Sequence, residues 1–145
     1  MNNSYQEISW FKLSLLHFLY ESHPELTDDT DLLNIRSDLA SKTYSEAVKK
    51  GYNQQEAEEL ALNDLYRGLH FSKHDTLVTI LWNEFSREVP MAQAKEFAIK
   101  LLPKVEHVFS KYELNDAFAF NPEFNDLYTE LTGALSIWEE EHELQ

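Results

Sequence analysis

The sequence predicts an all-α fold, a single compact bundle of about six helices spanning residues 1–145, with helices 1 and 4 at its centre. Apolar residues recur at helical spacing along most of the chain, and Ser, Asn or Asp stands before several of those runs. Only three glycines and four prolines punctuate the 145 residues. Strict alternation of apolar and polar residues over a strand length is hard to find. An apolar content of 43%, with 13% aromatic residues, is ample core material for a domain of this size.

Helix 1 is expected from about Tyr5 to Ser22, opened by a capping box in which Ser4 and Glu7 satisfy free backbone N–H groups. Its apolar residues, from Ile8, Trp10 and Phe11 through Leu13, Leu15, Leu16, Phe18, Leu19 and Tyr20, cover most of the circumference, which predicts a largely buried helix. Pro24 stops it, and the acids of Thr27-Asp28-Asp29-Thr30 suit the positive end of the next helix dipole. Helix 2 runs from about Asp31 to Lys50, carries Leu32, Ile35, Leu39, Tyr44, Ala47 and Val48, and ends at Lys49-Lys50-Gly51. Asn53 and Glu56 cap helix 3, which continues to about Leu69, with Gly68 marking its end.

Ser72 with Asp75 repeats the cap before helix 4, a second strongly apolar helix reaching about Glu88 through Leu77, Val78, Ile80, Leu81, Trp82 and Phe85. After Pro90, helix 5 shows Phe97, Leu101, Val105, Val108 and Tyr112 at helical spacing. Pro103 removes one backbone hydrogen bond there, so the helix is expected either to kink near Ile99 or to split at Leu102. Asn121-Pro122 opens helix 6, whose stripe of Phe124, Leu127, Tyr128, Leu131, Leu135 and Trp138 frays into acids at the end of the chain. Between helices 5 and 6, Tyr112, Phe118 and Phe120 look exposed in an irregular segment.

Composition narrows the chemistry. The absence of cysteine excludes disulfides, thiolate metal sites and cysteine nucleophiles. No P-loop, dinucleotide-binding glycine motif or nucleophile elbow is present. The net charge is −14, and no Lys or Arg follows Lys111, which argues against direct nucleic-acid and membrane-surface binding; the acids either serve solubility alone or steer a partner, which would then be basic. No signal peptide or membrane span is read, so a cytoplasmic protein is expected.

Leu69-His70-Phe71-Ser72-Lys73-His74-Asp75 is the most suggestive segment, with two imidazoles, a hydroxyl, an amine and a carboxylate at one helix junction. His70 and His74 have the spacing that places two zinc ligands on one helical face, and Asp75 and His17 are further candidate ligands. The Ser72 cap would end that shared face, leaving His74 and Asp75 in a first helical turn and His70 packed on a neighbour. His17, on the apolar helix 1, reads as a buried imidazole bonded to a backbone carbonyl or as a metal ligand. His23 reads as a loop residue, and His107 and His142 as surface residues, with Glu106 beside His107.

The acidic pairs Asp28/Asp29 and Glu58/Glu59, and the run Glu139 to Glu141, read as solvated. Glu84, between Trp82 and Phe85 with Asn83 beside it, is the carboxylate with a semi-buried setting of the kind acid–base work needs. Glu139-x-x-His142 is the one di-metal spacing, at a helix end.

The segments Trp10-Phe11-Lys12-Leu13-Ser14-Leu15-Leu16, Glu21-Ser22-His23-Pro24, Gly51-Tyr52-Asn53 with Glu56-Ala57, Leu69 to Leu77, Leu81-Trp82-Asn83-Glu84-Phe85, and Leu127 to Gly133 resemble a family of small bacterial proteins of unknown function. The resemblance covers almost the whole chain. It implies an all-helical fold and an association with conjugative transposons, and it brings no activity, cofactor or catalytic residue.

Three readings of function follow. The first is a non-enzymatic acidic adaptor or regulator that binds a protein, with no cofactor and with homo-oligomers allowed. The second is a nucleic-acid mimic that presents Glu123, Asp126 and Glu130 to a DNA-binding enzyme. The third is a metal- or small-ligand protein built on His70 and His74.

Overall fold

A computed structural model describes the backbone of residues 3–142 and the side chains of residues 8–141. The capping box of Ser4 and Glu7 and the side chain of His142 lie outside the described side chains. The protein is all-α. Its six α-helices are α1 (Asn3–Ser22), α2 (Thr30–Lys49), α3 (Gln54–Tyr66), α4 (Lys73–Glu84), α5 (Ala94–Phe109) and α6 (Glu123–His142), with short 3-10 turns at Pro24–Leu26, Met91–Gln93 and Phe118–Phe120. The chain groups into two compact units, Met1–Gly68 and Leu69–Gln145, described in turn.

In the first unit α1 buries Phe11, Leu15 and Leu19, a four-residue spacing that makes one face. The all-round burial expected of this helix is corrected: Trp10, Leu13 and Tyr20 are exposed, and so is His17. Helical periodicity records where apolar residues point, and only packing decides which faces are covered.

Where α2 and α3 pack together, Ala40 of α2 and Ala57, Ala61 and Leu65 of α3 are wholly buried. Asp29 caps α2 by accepting from the Leu32 N–H at 3.0 Å. At its other end Gly51 adopts φ +99, the Tyr52 N–H reaches the Ala47 carbonyl at 3.1 Å and the Gly51 N–H reaches that of Val48 at 3.0 Å. This is the Schellman pattern, which needs a left-handed residue there. Asn53 and Glu56 form the expected capping box of α3.

α3 ends at Tyr66, short of the expected Leu69, because Arg67 is already extended and Gly68 turns with φ +80. Arg36 then satisfies the helix end, its guanidinium donating to the carbonyls of Leu65 at 3.0 Å and Asp64 at 3.4 Å. The Asp64 carboxylate accepts from Thr43 Oγ1 at 2.5 Å and from Arg67 at 2.9 Å.

In the second unit Leu77, Ile80 and Leu81 of α4, Leu101, Val105 and Phe109 of α5, and Leu127, Leu131 and Leu135 of α6 share one core. α5 is one uninterrupted helix with Pro103 inside it, so of the two expected outcomes the split at Leu102 does not occur. Ile99 and Pro103 both lie on the exposed side, where water can take the carbonyl that proline leaves free. α4 stops at Glu84 rather than Glu88, and a turn closed by Val89 N–H to the Phe85 carbonyl at 2.9 Å follows. Between α5 and α6, Phe118 is buried, Tyr112 half-buried and Phe120 exposed, so the expectation of three exposed rings holds for one.

Two glycines should respond to alanine with opposite signs. Gly133 sits inside α6 with no atom near an added Cβ, so Gly133→Ala should stabilise by about 0.4–1 kcal/mol. Gly51 has equal room but a left-handed backbone, so Gly51→Ala should cost about 1–2 kcal/mol. Urea unfolding of the two variants checks both.

Candidate functional site

The site grows from the start of α4. Ser72 is the N-cap, its Oγ accepting from the Asp75 N–H at 2.9 Å, while Thr76 Oγ1 donates to the Ser72 carbonyl at 2.8 Å. Before the cap the chain bends at His70 and Phe71, and the His70 N–H donates to Asp116 Oδ1 at 3.0 Å. Nε2 of His70 stands 4.0 Å from Asp116 Oδ2, so a protonated imidazole would gain an ion pair. The Phe71 ring meets the Phe118 ring edge-on at 5.2 Å and the Phe124 ring at 6.2 Å.

These elements frame a cleft of about 210 Å³. Phe71, Phe124 and Ala119 give it an apolar lining, and His70, Ser72, Asp75, Thr76 and Thr79 supply the polar groups.

Of the candidate ligands, His70 and Asp75 line this cleft and His74 does not. His74 is buried in the first turn of α4, and its Nε2 lies 2.9 Å from the Lys95 carbonyl of α5. A carbonyl only accepts, so Nε2 carries the proton and Nδ1, 3.7 Å from Asp75 Oδ1, is the other position. His70 stands outside the helix with its side chain 55% exposed, so the two imidazoles do not share a helical face and His70 is not packed on a neighbour. His17 belongs to the first unit, on the exposed side of α1, which corrects its expected burial. No group of three or more His, Asp or Glu stands ready for a metal ion among the described residues.

His23 lies in the loop after α1 as expected, and it is buried there against the Phe18 ring at 5.6 Å, with Glu25 3.8 Å from its Nδ1. His107 is exposed as expected, and its neighbour Glu106 holds Lys73 at 2.8 Å. Glu84, expected to be semi-buried, is exposed and accepts from the Tyr128 hydroxyl at 2.8 Å, which in turn accepts from Asn83 at 3.2 Å.

The acids of α6 divide. Glu123 and Asp126 are exposed, whereas Glu130 accepts from Lys111 Nζ at 2.8 Å and from the Tyr112 hydroxyl. Those two hydrogen bonds, Lys111's first, hold the Glu130 carboxyl below its ordinary range. The bond to Glu130, with burial and that carboxylate's charge, pushes Tyr112 up to about 12. Glu130 therefore fastens the segment after α5 to α6.

Two features were missed in the sequence. The role of Asp116 as acceptor for the His70 N–H is a long-range contact that no local pattern signals. Glu139 was read with its run as solvated, yet it is half-buried, because it continues the Leu127, Leu131 and Leu135 series by one further step of four. Its Oε2 and that of Glu88 are buried with no hydrogen-bond partner. Burial, then the charges of Glu88 and Glu140, raises the Glu139 pKa.

A family model described as Domain of unknown function (DUF1896) matches residues 3–144. Among solved structures, the chain is similar to that of protein PG0816 from Porphyromonas gingivalis, with 40% identity over 99% of this chain and 97% of that one and a TM-score of 0.92. Comparison with curated proteins finds no match.

A raised carboxyl pKa costs stability above the folded value and releases that cost as the group protonates. Glu139→Gln should therefore stabilise the protein at pH 7, with the advantage shrinking as pH falls through the raised pKa. Thermal unfolding of both chains from pH 7 to pH 4 checks this, and an equal gain at both ends would refute it.

Proposed function

The chain belongs to the family described as Domain of unknown function (DUF1896), and from that premise we propose that it is a non-enzymatic, acidic adaptor that binds a basic protein partner through the cleft at the start of α4. The observation that supports this is the match between the cleft's size and its lining. At about 210 Å³ it is smaller than the roughly 300–1,000 Å³ usual for small-molecule sites, and it suits one anchoring side chain. Phe71 and Phe124 provide the apolar contact such an anchor needs.

The polar groups around it are occupied with structure. Ser72 caps α4, Thr76 bonds to the Ser72 carbonyl and Asp116 holds the His70 backbone. Such groups orient a docking segment better than they shuttle protons. Asp75 on the cleft, with Asp116 and Glu123 close in sequence to the lining residues Ala119 and Phe124, favours lysines or arginines flanking the anchor. We place this adaptor in the cytoplasm, as the sequence reading expects, and link it to a bacterial mobile element, as the family resemblance implies. The nucleic-acid mimic is a weaker reading, since Glu130 already pairs with Lys111.

Thr79 is an exposed residue of α4 that lines the cleft, so Thr79→Trp should fill the cleft and leave the fold intact. A partner captured from host lysate at low salt should bind this variant about tenfold or more weakly by titration calorimetry, and should bind the parent chain less tightly as salt rises. Unchanged affinity in the variant would sink the proposal.

A further inference from the structure

α1 has two apolar faces, and the first unit covers one of them. Phe11, Leu15 and Leu19 are buried, whereas Trp10 is 48%, Leu13 66% and Tyr20 63% exposed, with His17 exposed between them. At 3.6 residues per turn these four exposed residues fall within an arc of roughly 80°, opposite the buried three. An aromatic and aliphatic stripe of this kind is an unusual surface for water to keep.

We propose that this face is the interface of a homodimer, in which the α1 helices of two copies lie antiparallel across a two-fold axis near residue 15. Charge favours a second copy as the occupant. From Ile8 to Tyr20 the helix carries no Asp or Glu, and Lys12 is its one charged residue, in a chain of net charge −14. Repulsion between copies is weakest where the acids are missing, and a basic partner finds no carboxylate within this stretch.

Spacing favours the same occupant. Positions 10, 13, 17 and 20 are separated by three, four and three residues, a pattern that reads the same in both directions. An antiparallel copy therefore sets Trp10 against Tyr20 and Leu13 against His17, each pair occurring twice, as an isologous contact requires. Trp and Tyr are the residues that most often anchor such contacts. A stripe of four residues makes a small interface, so the dimer dissociates on dilution. This inference uses the first unit alone and does not rest on the adaptor reading.

Sedimentation equilibrium of the full chain over a dilution series tests it, together with cysteine trapping in a protein that has no native cysteine. The parent should convert reversibly between monomer and dimer, and added salt should not weaken the dimer, because salt screens the repulsion between acidic copies. Leu13→Asp should weaken association about tenfold or more while leaving the circular dichroism unchanged and, at dilutions where the parent is monomeric, the melting temperature as well. An oxidised mixture of Leu13→Cys and His17→Cys chains should yield the mixed dimer in excess over either homodimer, a readout that survives even if the aspartate variant fails to fold. A parent that stays monomeric throughout, a Leu13→Asp chain that dimerises as tightly as the parent, or cross-linking that favours Leu13→Cys with itself would each overturn the proposal.

Discussion

The hydrogen bond between the Asp75 N–H and the Ser72 hydroxyl fixes the first residue of α4, and the second unit depends on that register. With the helix starting at Lys73, the side chain of Lys73 reaches Glu106, that of His74 reaches the Lys95 carbonyl, and Leu77, Ile80 and Leu81 enter the core. A shift of one residue rotates every side chain by about 100°. It would bring Lys73 or Asp75 to the buried position of His74, where an unpaired charge is costly. His70 and Phe71 are left outside the helix by the same cap, and only from there do they line the cleft. One serine thus decides which of the clustered groups become structure and which become surface.

Helix starts and stops were legible because their determinants are local. Asn53 with Glu56, Ser72 with Asp75, and Gly51 after its two lysines act within a few residues of themselves, and each stands where the sequence placed it. What packs against a helix is not local. The apolar residues of α1 gave no sign of which side would be covered, so His17 was expected in a core that its side of the helix does not face. The same blindness exchanged two carboxylates. Glu84, beside Trp82, lies near a helix end and is exposed, while Glu139, inside an acidic run, falls in register with three core leucines. The second signal was present as a four-residue step and was masked by the charges around it. Which of the two outcomes Pro103 takes is non-local for a related reason: its cost depends on whether the freed carbonyl meets water, which the exposed side of α5 allows, and the helix continues.

The cleft was partly legible. The segment from Leu69 to Asp75 was marked by its density of reactive side chains, and His70 and Asp75 do line the cleft. The chemistry first attached to it, two imidazoles on one face, fails because the Ser72 cap separates them, and the cap was itself readable. Ala119 and Phe124 come from a distant part of the chain, and nothing in the local sequence links them to α4. The cleft of this unit is a tertiary coincidence of segments, which no motif records.

The few cations are used to organise the fold. Arg36 and Arg67 meet at Asp64 and the end of α3, Lys73 binds Glu106, and Lys111 binds Glu130. Exposed pairs of this kind contribute little stability singly, but they fix segments that lack regular structure, as Lys111 and Tyr112 do before α6. Many of the remaining acids face water and give the surface one sign. That excess also protects an apolar face such as that of α1, because copies that approach in most orientations repel one another. An approach through the acid-free stripe of α1 meets less of that repulsion. The acidity therefore does more than aid solubility: it turns a general liability of exposed apolar side chains into an orientation-selective contact.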